Sequence, residues 1–452
     1  MPVTQCFINM LPEFIKNILI QLENNGYQAF VVGGCVRDIL MERRDGNYDW
    51  DVTTDARPQD ILNIFERGKY NNQYGTVLVP VEDEQSNKHT IEITTFRSES
   101  GYSDQRHPDE VQFEDRVDKD LHRRDFTVNA LAMKPADSNI PIPSDLSSWI
   151  FEKEGYYILD LFGGQKDIKE RIIRAVGEPA DRFREDALRM MRAIRFAAQL
   201  NFYLEDKTER AIKKLSGSIK FIAQERIRDE LIKILSSPRA YKGIMLLHKN
   251  KLLQYILPEL EEGVGVEQDR HHIYTVFKHA VYSLKNCPNK DWRVRMAALL
   301  HDIGKTKAKE IRNGVATFYN HEHISAKLVN KITKRLRLKN EDREKIFLLV
   351  KNHMFYYNVG EVTASSVRRL IRKVGEENLS DLIDIRVADR LGSGVPKAKP
   401  YKLRHLEYMM EKVRKDPISV KMLKVDGNDV MKEVGLEPGP KIGAILEVLL
   451  SE

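Results

Sequence analysis

Cysteine is scarce in this sequence, and long apolar runs are missing. The 452 residues include three cysteines, Cys6, Cys35 and Cys287, which lie far apart and form no CxxC pair. This distribution argues against a disulfide framework and a zinc knuckle, and it suits a reducing compartment. No uninterrupted apolar stretch approaches the roughly 20 residues that a membrane-spanning helix needs. We therefore expect a cytoplasmic protein with no export signal or membrane anchor.

Internal repeats and low-complexity tracts are also missing, so the chain is not expected to form a solenoid. A length of 452 residues exceeds what one hydrophobic core usually supports, which predicts several domains. The formal net charge of +6 permits a polyanionic partner. Many proteins that never bind nucleic acid carry as much charge, so this value alone identifies no partner.

The apolar pattern changes along the chain. From about Phe14 to about Phe96, helical periodicity alternates with short β-branched runs, which predicts an α/β arrangement. Prolines, serines and aspartates crowd together between Pro135 and Trp149, which predicts a surface insertion closing the first domain. Beyond Ile168 apolar residues recur at helical spacing almost to the C-terminus, so the remainder is predicted to be helical.

A glycine turn and two aspartates form the first candidate site. Residues 30–38, FVVGGCVRD, are typical of a strand, a turn at Gly33 and Gly34, and a helix start, where a phosphate can approach the backbone. A purely structural turn is the alternative. In Tyr48–Val52, period-two alternation puts Asp49 and Asp51 on one face of a predicted strand. Two carboxylates so placed suit Mg²⁺, unless they only decorate an exposed face.

Glu92 interrupts another apolar strand and is a candidate third carboxylate at the same metal site, although pairing with a nearby arginine would also explain it. The spacing fits two-metal phosphoryl transfer, in which one ion activates an attacking hydroxyl and the other holds a triphosphate and the departing pyrophosphate. The expected chemistry is nucleotidyl transfer, with Asp49, Asp51 and Glu92 as the catalytic carboxylates.

Together these motifs resemble the nucleotidyltransferase superfamily that contains the class II CCA-adding enzymes and bacterial poly(A) polymerases. The resemblance extends through Arg123–Ala130, similar to the motif that contacts the ribose and triphosphate of the incoming nucleotide, and through Asp160–Gly164, similar to the hinge motif. Glu185–Arg189 resembles the base-reading motif, and Glu225–Ile227 lies near the following one. The resemblance assigns nucleotide binding to Gly33, Gly34, Arg37, Arg124, Asp125, Asn129, Asp186, Arg189 and Arg192.

Base selection is expected at Asp186 and Arg189, which would project from one face of a helix if the helix includes both. In the family, the matching pair binds cytosine or adenine without a nucleic-acid template. Without the resemblance, the spacing of Asp186 and Arg189 would favour a surface ion pair between them. The polar segment Ser98–Asp109, with Arg97, Asp104 and Arg106 in or beside it, matches the family's flexible loop for switching from cytidine to adenosine. An ordinary strand connection is the alternative.

A second candidate site combines histidines and aspartates. His301-Asp302 ends an apolar helical run, and imidazole and carboxylate side chains recur at later helical positions, which suits a divalent metal of unknown identity. Their order resembles an HD domain, whose relatives include phosphohydrolases acting on phosphomonoesters or cyclic phosphates. The resemblance predicts a metal site formed by His279, His301, Asp302, His321, His353 and Asp389. His323 competes with His321 for its place.

The resemblance implies an α+β nucleotidyltransferase head with a small mixed or antiparallel sheet, followed by all-α domains. The predicted boundaries are 1–158 for the head, 159–220 for a base-recognising neck, 221–265 for a body, 266–400 for the HD domain and 401–452 for a tRNA-binding tail. Gly427–Gly443 resembles the tail's glycine-proline turn. The chain departs from the compact family form by a long polar stretch between Met133 and Ile158, taken as an insertion of unknown role over 134–158.

The implied function is template-independent addition of CCA to tRNA from CTP and ATP. Asn72–Val77 lies closer to the CCA-adding form than to the basic, aromatic segment of the poly(A)-making relatives. The nearest alternatives are an enzyme adding only A or only CC, and a poly(A) polymerase. An alternative of another class is a metal-dependent HD phosphohydrolase as the main activity.

Overall fold

The computed structural model of this chain describes residues 10–43, 48–72, 74–101, 110–268, 273–313, 315–355, 358–359, 362–394, 400–413 and 423–451. The chain divides into two compact units. The first unit contains residues 1–223 and 250–252, and the second contains 224–249 and 253–452. Within the described residues, no helix is both long and apolar enough to cross a bilayer. The predicted division into five domains stays a prediction.

The first unit combines a sheet with helices. Its helices are α1 Glu13–Asn24, α2 Gly34–Leu40, α3 Pro58–Ile64, α4 Val117–His122, α5 Gly164–Glu170, α6 Pro179–Glu185, α7 Leu188–Leu200 and α8 Asp206–Leu215. Its strands are β1 Ala29–Val32, β2 Asp51–Thr54, β3 Lys69–Asn72, β4 Thr76–Glu82, β5 Lys88–Thr95, β6 Arg97–Ser100, β7 Glu110–Phe113, β8 Ala132–Pro135, β9 Ile150–Lys153, β10 Tyr156–Leu159, β11 Ile172–Ile173 and β12 Tyr203–Leu204. Short 3-10 turns span Thr127–Asn129, Ser144–Trp149 and Ser216–Phe221.

Eight strands form the main sheet, in the order β3-β4-β5-β2-β1-β8-β10-β9. The β2–β5 pair is parallel and the other pairs are antiparallel, which confirms the mixed sheet of the predicted head. Successive side chains of a strand face opposite sides of the sheet. Val31 therefore packs into one core with α1, and Phe30 and Val32 pack into a second core on the other side. Both faces of β1 are buried, which explains its uninterrupted apolar sequence.

The second unit is helical apart from one hairpin, as predicted for the remainder of the chain. Its helices are α9 Gln224–Ser236, α10 Ala240–Lys249, α11 Leu253–Ile256, α12 Pro258–Glu261, α13 Val276–Lys285, α14 Trp292–Leu300, α15 Lys305–Ala308, α16 His321–Arg335, α17 Asn340–Lys351, α18 Ala364–Val374, α19 Leu379–Gly392, α20 Tyr401–Val413, α21 Gly427–Val434 and α22 Pro440–Ser451. Strands β13 Glu310–Arg312 and β14 Val315–Thr317 form the hairpin, and Glu376–Asn378 is a 3-10 turn.

The surface insertion predicted between Pro135 and Trp149 lies at the surface, because residues 136–149 are exposed or half-buried except for Leu146, whereas the longer polar stretch between Met133 and Ile158 also contains packed strands. Strands β9 and β10 extend the main sheet beyond β8, and Leu146 is buried in the core with Phe30. Pro, Ser and Asp mark the turns of this segment, whereas its few apolar side chains carry the packing, which the composition did not show. The segment is a structural part of the head.

This packing predicts different effects for two substitutions in the same segment. Leu146→Ala should lower the free energy of unfolding of the head by about 2 to 5 kcal/mol, because it removes a buried side chain and leaves a cavity. Phe151→Ala removes a side chain that is 48% exposed and should cost less than about 1 kcal/mol. Urea denaturation followed by intrinsic fluorescence measures both effects. Equal losses would contradict the packing described for Leu146.

Candidate functional site

The glycine turn of the head has the predicted strand–turn–helix form. Gly33 follows β1 and caps α2 with a φ of 86°, a conformation that side chains rarely tolerate. A Cβ atom there would lie 3.1 Å from Nη1 of Arg124 and 3.6 Å from Oδ2 of Asp51. Gly33 therefore brings the backbone close to a carboxylate and a guanidinium. Gly34 is less constrained, since a Cβ there would meet only the Arg37 side chain, at 3.4 Å.

The two acidic strands lie side by side. Strand β2 pairs with β5 in parallel, and Asp51 is the register partner of Glu92. The parallel register therefore brings two of the three predicted catalytic carboxylates to neighbouring positions. Within the described part of the chain, Glu92 forms no ion pair with an arginine, so the alternative explanation for this residue is not supported.

The predicted strand over Tyr48–Val52 is too long, because β2 begins at Asp51. Asp49 lies just before the strand and is exposed, Trp50 is buried, and Asp51 is half-buried. The alternation of buried and exposed positions is therefore present although Asp49 is outside the regular strand. Tyr48 and Trp50 pack against the core that contains α1, which leaves the aspartates on the other side.

Asp49 and Glu92 both influence the pKa of Asp51. Burial raises the pKa of Asp51 to about 7, Asp49 and Glu92 raise it as well, and Arg124 opposes them. Burial and the charge of Asp49 also raise the pKa of Glu92. Negative charge is therefore concentrated where a divalent cation would stabilise the ionised forms. The donor set fits Mg²⁺.

Two arginines of the predicted nucleotide site are held by buried partners. Arg37 donates from Nη1 to Oδ1 of Asn129 at 2.6 Å, which joins α2 to the Arg123–Ala130 motif. Arg124 donates from Nη2 to Oδ2 of Asp120 at 3.1 Å. Burial would raise the pKa of Asp120, but Arg123 and Arg124 outweigh it and keep the pKa below its usual value. Sequence reasoning missed Asp120, although it lies one helical turn before Arg124.

Asp125 connects the same motif to α7. Its Oδ2 accepts from Nε of Arg192 at 2.7 Å and lies 2.6 Å from Nη2. Burial alone would raise the pKa of Asp125, whereas Arg192 and Arg189 lower it below its usual value. The charged form is therefore the stable one. In this structure Asp125 positions Arg192 of α7.

Asp186 and Arg189 do not project from one helix as predicted. Helix α6 ends at Glu185, Asp186 has extended dihedrals, and α7 begins at Leu188. The Asp186 carboxylate accepts from the backbone N–H of Leu188 at 3.0 Å, while Arg189 donates to Glu185 and not to Asp186. Aspartate competes with helix continuation by bonding nearby backbone groups, which explains the break. The two side chains still lie at one helix junction.

The predicted hinge motif is a capped turn. The Asp160 carboxylate accepts from the backbone N–H groups of Gly164 and Gln165, at 2.7 and 2.9 Å. A Cβ atom on Gly164 would lie 2.3 Å from the carbonyl oxygen of Thr127. The hinge therefore packs directly against the nucleotide motif, and only glycine permits this approach.

The polar segment predicted as a loop is partly a strand. Ser98–Ser100 belongs to β6, which pairs with β7. Arg97 donates from Nε to Oε1 of Glu99 at 2.8 Å, and Arg123 shares that carboxylate at 3.3 Å. Residues 102–109, with Asp104 and Arg106, lie outside the described residues.

The second unit brings all six predicted HD residues together. His279 is on α13, His301 and Asp302 follow α14, His321 begins α16, His353 follows α17 and Asp389 is on α19. The ligand atoms of His279, His301, Asp302 and Asp389 lie within 4.8 Å of one another, and so do those of Asp302, His321 and His353. We call these residues the HD cluster.

The two carboxylate oxygens of Asp302 face different histidines. Oδ2 lies 3.1 Å from Nε2 of His279 and 3.3 Å from Nε2 of His301. Oδ1 lies 3.0 Å from Nε2 of His321 and 3.5 Å from Nε2 of His353. Asp302 is therefore shared by both groups of ligands.

Backbone carbonyls orient three of the rings. Nδ1 of His301 lies 2.8 Å from the carbonyl oxygen of Ala298, and Nδ1 of His321 lies 2.8 Å from that of Phe318. Nδ1 of His353 lies 2.7 Å from the carbonyl oxygen of Val350. A carbonyl only accepts, so each Nδ1 carries the proton. In the neutral ring, Nε2 then presents a lone pair, which is the arrangement of a metal-bound histidine. Among the described residues, Nε2 of His321 and Nε2 of His353 are buried and make no hydrogen bond.

The HD cluster requires positive charge. Burial opposes a charge on His301, yet Asp302 and Asp389 raise its pKa to about 10. Burial would raise the pKa of Asp302, but His301 and Lys305 hold it well below its usual range. Nζ of Lys305 lies 2.6 Å from Oδ2 of Asp302. Lys305 was not assigned a role from sequence, although it follows His301-Asp302 in the same segment.

His321 and His323 lie in different environments. His321 belongs to the HD cluster, whereas His323 is 59% exposed and lies beside Glu322. The two histidines are two residues apart on α16, so they point to different sides of the helix. The cluster contains the residue of this pair that the sequence favoured.

Comparisons with known proteins agree with both units. Residues 29–174 match the family described as the poly A polymerase head domain, 201–263 match the probable RNA and SrmB-binding site of polymerase A, and 270–393 match the HD domain. An A-adding tRNA nucleotidyltransferase of Deinococcus radiodurans is 34% identical over 441 residues, which is 93% of this chain and 90% of the relative.

A CCA-adding enzyme of Enterococcus faecalis is 31% identical over 438 residues, covering 95% of this chain and 88% of that protein. The crystal structure of the Bacillus stearothermophilus CCA-adding enzyme in complex with CTP matches with a TM-score of 0.69 at 26% identity, over 97% of this chain and 91% of that one. The similarity spans both units and nearly the full length of these relatives. The chain therefore belongs to the class II CCA-adding tRNA nucleotidyltransferase family, among the members that carry an HD domain.

Proposed function

We propose that this protein is a cytoplasmic enzyme that adds CCA to the 3′ ends of tRNA, using CTP and ATP and releasing pyrophosphate. The observation that carries the proposal is the convergence of Asp51 and Glu92 beside Gly33 and Arg124, on a chain similar over its length to tRNA nucleotidyltransferases. In the reaction, the terminal hydroxyl oxygen of the RNA bonds to the α-phosphorus, and the bond between the α- and β-phosphates breaks.

The carboxylates Asp49, Asp51 and Glu92 would hold Mg²⁺, which supplies charge to activate the hydroxyl and to stabilise the departing pyrophosphate. Gly33 carries no side chain of its own, so its backbone can approach the phosphates beside Arg124 and Asp51. Nε of Arg124 is buried without a hydrogen-bond partner in the described part of the chain, so this guanidinium is suited to bind a triphosphate oxygen.

The base would be selected at the junction of α6 and α7. Asp186 and Arg189 supply an acceptor and donors there, and Arg192 is positioned by Asp125. Asp125 joins this junction to the nucleotide motif through its ion pair with Arg192, which supports a role in holding the base-reading residues near the phosphate-binding ones. The alternatives are addition of A alone, of CC alone, or of poly(A). The D. radiodurans relative, which matches over nearly the full length, is named an A-adding tRNA nucleotidyltransferase, and this name supports addition of A alone as an alternative.

Incorporation assays on defined tRNAs distinguish these alternatives. We expect the purified protein to add two cytidines and one adenosine to a tRNA that lacks CCA, and a single adenosine to a tRNA that ends in CC. Sequencing the extended 3′ ends measures the product. Extension of only the second substrate would identify an A-adding enzyme, and long adenosine tails would identify a poly(A) polymerase.

Asp51→Ala should reduce incorporation at least about a hundredfold, since it removes a carboxylate that the metal and the triphosphate both require. Glu82→Gln is the control, because Glu82 is an exposed acidic residue of β4 in the same sheet and has no predicted role. Single-turnover incorporation of a labelled nucleotide measures the rates. Persistent incorporation by the Asp51→Ala protein would contradict the proposed site.

A second function is proposed for the HD cluster: metal-dependent hydrolysis of a phosphate ester. The convergence of four imidazoles and two carboxylates supports it, together with the Nε2 lone pairs turned toward Asp302. A divalent ion bound there would activate a water molecule for attack on phosphorus. Lys305 would stabilise negative charge beside Asp302.

Metal content tests the HD cluster independently of any activity. His321→Ala should lower the bound divalent metal per chain, whereas His323→Ala, two residues away and exposed, should leave it unchanged. Elemental analysis after dialysis against Mn²⁺ or Ni²⁺ measures the stoichiometry. Equal metal content in both variants and the unmodified protein would remove His321 from the proposed ligands.

A further inference from the structure

Charged side chains of alternating sign connect strand β6 to Arg124 of the proposed nucleotide site. In order, they are Arg97, Glu99, Arg123, Asp120 and Arg124. We call these five residues the charge row. Each of their side chains is at most 18% exposed. Burial strengthens the interactions between such groups, because little water remains to screen them, so the orientation of one member affects its neighbours.

The charge row begins on β6. Arg97 and Glu99 are two residues apart on this strand, so their side chains face the same side. Nε of Arg97 donates to Oε1 of Glu99 at 2.8 Å, and Nη1 of Arg97 donates to the carbonyl oxygen of Tyr74. Cζ of Arg97 lies 5.6 Å from the centroid of the Tyr74 ring. Arg97 therefore fixes the Glu99 carboxylate next to the turn that precedes β4.

The same oxygen of Glu99 also accepts from Arg123. Nη1 of Arg123 lies 3.3 Å from Oε1 of Glu99, while Nε and Nη2 of Arg123 lie 2.9 and 2.6 Å from Oδ1 of Asp120. Both bonds from Arg123 to Asp120 thus use one carboxylate oxygen. The other oxygen, Oδ2, accepts from Nη2 of Arg124 at 3.1 Å. The two arginines therefore divide a single buried carboxylate between them.

This division differs from the usual pairing of one arginine with one carboxylate. A guanidinium commonly binds a carboxylate through two parallel hydrogen bonds, one to each oxygen. If Arg123 formed that pair with Asp120, Arg124 would lose its bond to Oδ2. The charge of Glu99 instead engages Nη1 of Arg123, which keeps the rest of this guanidinium on Oδ1. Glu99 therefore preserves Oδ2 of Asp120 for Arg124.

Arg124 is the member of the charge row that reaches the metal site. Its Nη1 would lie 3.1 Å from a Cβ atom on Gly33, and its charge opposes the burial that raises the pKa of Asp51. Its Nε is buried and makes no hydrogen bond in the described residues. A triphosphate oxygen can bind this guanidinium beside Gly33 as long as Asp120 holds it in its present orientation.

We propose that Glu99 is a positioning residue for the incoming nucleotide: it prevents Arg123 from competing for Asp120 and thereby holds Arg124 in place for the triphosphate. Glu99 contacts neither nucleotide nor metal in this role and acts only through Arg123 and Asp120. The role rests on the proposed function, because it requires that Arg124 binds the triphosphate. It makes nucleotide affinity depend on β6, a strand outside the main sheet.

Binding of inorganic triphosphate tests this role without requiring activity. The full chain is titrated with triphosphate and Mg²⁺ in a calorimeter, in the absence of RNA. Glu99→Gln should weaken binding about tenfold, because Arg124 loses the orientation for a charged hydrogen bond to phosphate. Glu114→Gln is the control and should leave the affinity unchanged, since the Glu114 carboxylate accepts from Oγ of Ser98 at 2.6 Å and lies outside the charge row. Equal affinities of the Glu99→Gln and unmodified proteins would overturn the proposal.

Two further backgrounds distinguish positioning from a general structural role of Glu99. Arg123→Met removes the competing guanidinium, so Glu99→Gln should have no effect on triphosphate affinity in that background. Arg124→Met removes the group that Glu99 positions, and Glu99→Gln should again have no further effect. Residues that act through one another show such non-additivity, whereas independent effects add. A tenfold loss that persisted in either background would overturn the proposal.

Thermal unfolding of every variant, followed by circular dichroism, shows that the affinities are measured on folded protein. The comparison within the Arg123→Met background stays decisive if Glu99→Gln lowers the unfolding temperature, because a loss of folding would lower the affinity there as well. Failure of the proposed function would appear separately, as an unmodified protein that neither binds triphosphate nor incorporates nucleotides. Failure of the role of Glu99 alone would leave both properties intact in the Glu99→Gln protein.

Discussion

The folded chain has to hold like-charged carboxylates close together in partly or fully buried places. In the head, burial and two neighbouring carboxylates raise the pKa of Asp51 to about 7. In the HD cluster, the buried Asp302 stays ionised because imidazoles and Lys305 surround it, and the half-buried Asp389 stays ionised because His279 and His301 lie beside it. Such arrangements destabilise a protein unless positive charge compensates them. The positions of the surrounding basic residues follow from this requirement.

The head meets the requirement with arginines that are themselves held by acidic residues. Asp120 fixes Arg124 beside Asp51, and Asp125 fixes Arg192 on α7. Both aspartates are buried, and each keeps its charge because more than one arginine compensates it. The same ion pairs therefore stabilise the fold and position groups for a triphosphate. Nε of Arg124, the arginine beside Asp51, is buried and makes no hydrogen bond in the described residues.

In the HD cluster, the charge of the aspartates is compensated by imidazoles, and backbone carbonyls bonded to Nδ1 orient three of these rings. The backbone carbonyls of Ala298, Phe318 and Val350 each fix an Nδ1 proton, so the ring direction is set by helix ends and not by the metal. A site oriented in this way is arranged before any ion binds, and binding then costs little reorganisation. The two oxygens of Asp302 divide the histidines into two groups, which places one carboxylate at the centre of the cluster.

The sequence alone predicts the features that depend on short residue patterns. The turn at Gly33, the neighbouring acidic strands and the order of the HD residues were predicted because each depends on local spacing or on a family motif. The sequence does not predict features that depend on contacts formed only in the folded chain. The break at Asp186 depends on a hydrogen bond to Leu188, and the packing of Leu146 depends on a strand distant in sequence. Asp120 and Lys305 were missed although each lies within one helical turn of its partner, because helical spacing shows which charges can meet and not which of them are buried together.

The choice between His321 and His323 shows how packing completes a site that the sequence leaves ambiguous. The turn after Asp302 lies against the start of α16: the Gly304 N–H donates to Oγ of Ser325 at 2.9 Å. A Cβ atom on Gly304 would lie 2.4 Å from the carbonyl oxygen of His321. Glycine is required for this contact, and the contact fixes the first residue of α16 opposite Asp302. Once that residue is fixed, a helix turns the side chain two positions later away, so His321 is buried in the cluster and His323 is exposed.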